Sequence, residues 1–144
     1  MVNWKKVTMG GVVAGVAMAV IGWFVMMPLF QMMFPELMAE YEGCVFRPWD
    51  DPWMSYMFVH PLVIGLIMAF VFNLFQPFKK KSFIERGLYY GLAFWLLYSV
   101  PGMLVTMSSF MVSAEMVLSW TIEFLIEMPI AGIIIAKAAE CKNV

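Results

Sequence analysis

Glu123 and Glu127 stand four residues apart in the stretch SWTIEFLIEMPIAGIIIAK (119–137), which is otherwise apolar until Lys137 and carries Pro129 just after the second acid. Four residues are about one helical turn, so on a helix both carboxyls share a face, about 6 Å apart along the axis. A charged carboxylate at the centre of a bilayer costs about 2.5–3.5 kcal/mol on insertion scales, and two ionised neighbours also repel. Such a pair is reconciled with its surroundings in a few ways. It can keep a proton, line a water-filled cavity or bind a cation, and these are the functional readings. In the structural reading, protonated acids hydrogen-bond between helices or between subunits. No lysine or arginine falls at the same depth of any apolar segment. The groups predicted to stand near the acids are therefore neutral: Tyr98, Thr121 and His60, with the Leu125 carbonyl freed by Pro129 as one more acceptor.

Other chemistry is thinly represented. His60 is the single histidine, which excludes a multi-histidine metal site. Met103, Met107 and Met111 are spaced to place three thioethers in one row, if a helix continues past Pro101. Soft thioethers suit Cu(I). The spacing resembles the Met-x3-Met pair of copper-transporter helices, and on those three residues alone it implies copper handling. The competing reading is that methionine, here 16 residues, fills gaps in apolar packing. No nucleophile and base stand at a recognisable spacing, and no phosphate-cradling loop or dinucleotide fingerprint occurs, so neither an enzyme nor a cofactor is expected.

These residues are carried by four long apolar runs. The chain has 144 residues, 63% hydrophobic and 13% charged. Soluble domains are nearer about 45–50% and about 25%. The runs, at 7–34, 52–76, 83–107 and 110–136, each exceed the roughly 20 residues that cross about 30 Å of hydrocarbon. The composition predicts an all-α integral membrane protein, a single domain of four transmembrane helices in an antiparallel bundle. Residues 35–51 form an acidic loop. Nothing suggests nucleic acid as a partner, because there is no basic patch interleaved with aromatics.

Eight of the nine basic residues flank the runs on one side: Lys5, Lys6, Lys79, Lys80, Lys81, Arg86, Lys137 and Lys142. The positive-inside rule then places both termini in the cytoplasm and the acidic loop outside a cell (inner) membrane. On that topology Cys44 and Cys141 lie on opposite sides and cannot pair within one chain. Cys44 either links two subunits or stays a free thiol.

Start signals agree with the runs. Asp51 precedes Pro52, and Ser82 with Glu85 has capping-box spacing. Pro61, Pro101 and Pro129 fall inside runs and are expected to kink them. Small residues four apart occur in all four segments: Gly11/Gly15, Gly65/Ala69, Gly87/Gly91 and Gly132/Ala136. They predict a bundle tight at its lysine-rich end and bulkier at the other. The first and third segments share a Gly-x3-Gly start and a later proline, a hairpin repeat in outline that the second and fourth do not extend.

Two functions follow from the acids. One is binding or transport of a proton, a cation or a cationic amphiphile. The other is a structural or accessory subunit, with the pair as an interhelical or subunit link. Partners are the lipid bilayer and a second copy or larger membrane complex.

Overall fold

The computed structural model describes residues 2–36, 39 and 46–141, and among them there is no strand. The chain folds into four long rods: α1 (Trp4–Met33), α2 (Pro52–Phe75), α3 (Phe83–Ser109) and α4 (Ala114–Glu140). Cys44, Met38, Glu40, Glu42 and Lys142 lie outside the described residues, and with them the disulfide expectation.

Each rod starts on a side chain that satisfies amides left open at a helix N-terminus. Asn3 accepts from the Lys6 amide at 3.2 Å. Asp51 accepts from the Trp53 amide at 2.8 Å, with Pro52 in the first position. That amide, then the Arg47 guanidinium 2.9 Å away, holds the Asp51 carboxyl below its usual range. The Ser82–Glu85 capping box forms in both directions, at 3.3 and 3.1 Å. Ser113 accepts from the Met116 amide at 3.1 Å. This last cap corrects the expected start of the fourth segment. Phe110, Met111 and Val112 continue its apolar run, but the backbone is extended at Phe110 and the helix begins only after Ser113.

Two rods are interrupted by a wide π-turn. In α1 it covers Gly22–Met26 and in α3 Trp95–Ser99. The Met27 amide reaches back five residues to the Gly22 carbonyl, and the Val100 amide likewise to Trp95. Pro28 and Pro101 follow directly, each without an amide for the next bond. Pro61 and Pro129 are accommodated inside continuous helix.

The rods pack by backbone approach. A Cβ added at Gly15 would lie 2.7 Å from Leu62 Cα and 2.8 Å from the Pro61 carbonyl oxygen. One added at Gly91 would strike the Met128 carbonyl and Pro129 Cα, and one at Gly132 the Gly87 carbonyl. So α1 seats its glycine pair on the Pro61–Gly65 turn of α2, and α3 seats its own on the Met128–Gly132 stretch of α4. The second and fourth segments thus take part in the hairpin repeat after all, through a proline followed by glycine three or four residues later. A strict four-residue pattern hides that match. α4 also packs on α1, so the two hairpins join there. The buried core lies in this tight half, around Met18, Met68, Phe72, Met128 and Ile135.

The basic residues gather at the tight end. Lys6 Nζ donates to the Ala139 carbonyl at 2.6 Å, and Arg86 lies 3.5 Å from Glu140. The outside of the bundle is apolar, with Val13, Ile67, Leu97 and Ile130 among many large side chains turned outward. α1, α2 and α3 are long and apolar enough to cross a membrane. α4, which bears the two acids, is not among the three; it buries one face, including Glu127, Met128 and Ala131, against the others and exposes Leu118, Leu125 and Ile130 on another. An apolar exterior on such rods is compatible with a membrane location.

Candidate functional site

Beyond the tight half the rods separate around a cavity of about 460 Å³. It runs from Met18 and Glu127 at mid-bundle to Gln31, Trp49 and Thr106 at the end away from the lysines. All four rods line it. Glu127 is the middle residue of α4 and is only 4% exposed; Glu123, one turn nearer the mouth, is half-buried. The face they share is read straight from the helical period. Ser119 and Trp120, four and three residues before Glu123, join the same wall.

The two carboxyls meet α1 at Gly22, the first residue of its π-turn. A Cβ there would lie 2.6 Å from Glu123 Oε1 and 2.7 Å from Glu127 Oε1. Only glycine leaves both acids their present room. The opposite wall is α3 and α2, where His60 Nε2 and the Tyr98 hydroxyl are 3.0 Å apart and tie the two rods. The His60 ring stands edge-on to Phe124 at 6.2 Å. Toward the mouth the lining is aromatic: Trp23, which stacks on Phe58 at 4.9 Å, together with Trp49, Trp120 and Phe30. No lysine or arginine lines the cavity among the described residues.

Ser99, the last residue of the α3 π-turn, is also at this wall. It is 1% exposed and its Oγ has no hydrogen-bond partner among the described residues. Leaving such a hydroxyl unpaired costs about 1–3 kcal/mol.

Of the residues singled out from sequence, the structure brings together Glu123, Glu127, His60 and Tyr98. Thr121 is elsewhere. Two residues before Glu123 it points about 200° around the helix, its hydroxyl donates to the Val117 carbonyl at 2.7 Å, and its own carbonyl accepts from Trp95 at 3.0 Å. Leu125 is likewise turned outward and does not line the cavity. The methionine row is broken after its second member: Met103, which lines the cavity, and Met107, which is exposed, share α3, but α3 ends at Ser109 and Met111 is 92% exposed beyond the helix.

Gly22, Ser99, Ser119 and the three tryptophans were not singled out as site residues from sequence. Helical spacing from Glu123 would have found Ser119 and Trp120. Gly22 continues the Gly15–Met18 face at ordinary helical spacing, whereas Ser99 closes the α3 π-turn, for which the only local signal is the proline two residues later.

The arrangement is two acids at mid-bundle, an aromatic vestibule and polar groups, with no lysine or arginine to compensate the acids among the described residues. Chemically it suits a positive charge carried by an apolar body, because carboxylates and aromatic faces both attract cations. No family model, curated protein or solved structure matches the chain.

Proposed function

We propose that all four rods span a cell membrane, with both termini cytoplasmic, and that the cavity binds a cationic amphiphile through Glu123 and Glu127. The protein is then a small non-enzymatic binding or transport protein. The observation that carries this reading is the pair of carboxyls at mid-length, inside an aromatic-walled cavity of about 460 Å³ with no lysine or arginine on it among the described residues. Small-molecule sites fall in the range of roughly 300–1,000 Å³ and are mostly apolar with a few convergent polar groups. The eight basic residues on one side support the orientation.

Tetraphenylphosphonium is a suitable probe, because three tryptophans line the cavity and their fluorescence reports an occupant. The purified protein should show saturable quenching, with affinity falling at least tenfold in Glu127→Gln and further in the double Gln variant. Protons and the cation compete for the same oxygens, so binding should weaken as the acids take up protons. Unchanged quenching in the double variant would remove the reading.

The close fit of both carboxyls on Gly22 favours a second reading, in which they hold α4 against α1 or steady a membrane complex. In that case the double Gln variant lowers the melting temperature or changes the size in detergent, and the wild type shows no saturable quenching at all.

A further inference from the structure

A second concavity opens at the other end of the bundle, about 180 Å³ in volume and independent of the acidic cavity. Lys6 and Arg86 supply its charge, and Asn3, Asn73 and Gln76 surround them above the Phe72 ring. Among the described residues no carboxylate lines it, and the nearest to its charged groups is Glu140, 3.5 Å from Arg86. We propose that this pocket binds a phosphate group.

The hydrogen-bond inventory supports an anion. Lys6 gives one of its three N–H bonds to the Ala139 carbonyl and keeps two. In doing so it also covers the negative end of α4, which would otherwise repel an anion. Arg86 gives Nε–H to the Pro77 carbonyl at 3.2 Å, and its guanidinium packs over the Phe72 ring at 5.1 Å. Its Nη1 is 3.5 Å from Glu140, well beyond the roughly 2.7–2.9 Å of a charge-assisted bond, so its outer N–H groups are left to give. Asn3 has its oxygen engaged by the Lys6 amide, which leaves its NH2 as donor. Gln76 sits at the left-handed cap of α2, and its side chain makes no hydrogen bond among the described residues. Asn73 gives one N–H to the Ala69 carbonyl at 2.9 Å and keeps the other, so with Lys6, Arg86, Asn3 and Gln76 it turns N–H donors to one small space.

Position narrows the source. The pocket lies where the rods end among Lys5, Lys79, Lys80 and Lys137, at the depth of headgroups if α1–α3 span a bilayer. Basic pockets between helices on that side take anionic headgroups. A free phosphate offers the same chemistry, and the experiment separates them.

The test is a thermal melt of the full chain in neutral detergent, titrated with phosphatidylglycerol, with phosphatidylcholine and with inorganic phosphate. Stabilisation by phosphatidylglycerol, and not by phosphatidylcholine, assigns a lipid headgroup. Stabilisation by inorganic phosphate as well assigns a free anion. Gln76→Glu should raise the half-stabilising concentration at least tenfold, since it places a carboxylate in the pocket with almost no change of shape. Arg86→Gln should do the same. If the Arg86 variant does not fold, Gln76→Glu decides alone. Equal response to the two lipids with none to phosphate, or a Gln76→Glu variant that titrates like the wild type, overturns the proposal.

Discussion

Gly22→Ala tests the site at its most constrained point. Ordinary contact begins at 3.4 Å, so the new methyl forces Glu123 Oε1 and Glu127 Oε1 back by about 0.8 and 0.7 Å. These are the far ends of flexible side chains, and they can rotate away. Driving both off their preferred rotamers costs about 0.5–1.5 kcal/mol each. Replacing a mid-helix glycine by alanine returns about 0.5–1 kcal/mol. The variant should therefore melt within about 2.5 kcal/mol of the wild type. Its site should not survive as well, because binding constellations tolerate only about 0.5 Å of displacement. Tetraphenylphosphonium affinity is expected to drop about tenfold, equivalent to about 1.4 kcal/mol. Gly15→Ala is the contrasting case. Its methyl meets backbone at 2.7 and 2.8 Å, which no rotamer relieves, so α1 must move off α2 and the melting temperature should fall steeply. The reasoning fails if Gly22→Ala melts as low as Gly15→Ala, or if it keeps wild-type affinity.

Ser99→Ala removes a buried hydroxyl without a partner and should stabilise the protein by about 1 kcal/mol in a denaturant or thermal melt; a loss of stability would mean that the Oγ has a partner. Tyr98→Phe breaks the link to His60 and should cost about 0.5–1.5 kcal/mol in the same melt while leaving cation affinity within a few-fold of wild type. For orientation, Lys79→Cys in a background lacking Cys44 and Cys141 should react with a membrane-impermeant maleimide only after permeabilisation, and Trp53→Cys in intact cells. The reverse pattern would invert the topology.

Much of the architecture is legible because hydropathy and capping are local. The four apolar runs, the Ser82–Glu85 box and the Asp51–Pro52 start each depend on neighbours within a few residues. The glycine pairs could be read as helix contacts because lipid gives helices no other reason to approach closely. Rotational phase is where reading fails. Thr121 was expected near the acids although it sits on the far side of the same helix, and a count of 100° per residue places it there. Gly22 lies seven residues, about two turns, beyond Gly15 and is found by the same count; Ser99 closes the π-turn of α3, and nothing in residue type announces an extra residue in a turn. The start of α4 is hidden instead: α3 ends at Ser109, close to the end of its run at 107, but Phe110, Met111 and Val112 read as part of the next run up to the Ser113 cap. Met111 falls in that stretch, outside both helices.

Each wide turn stores one surplus residue, and a surplus of this kind can travel. When an amide exchanges its fifth-neighbour carbonyl for the fourth, the bulge steps along by one position and re-aims the residue it passes by about 100°. Pro28 and Pro101 have no amide to exchange, so they bar migration toward the mouth in both α1 and α3. The surplus in each rod is thus left one direction of travel, inward, and a single step would swing the walls that carry Trp23 and Tyr98 while the glycine-locked half stayed still.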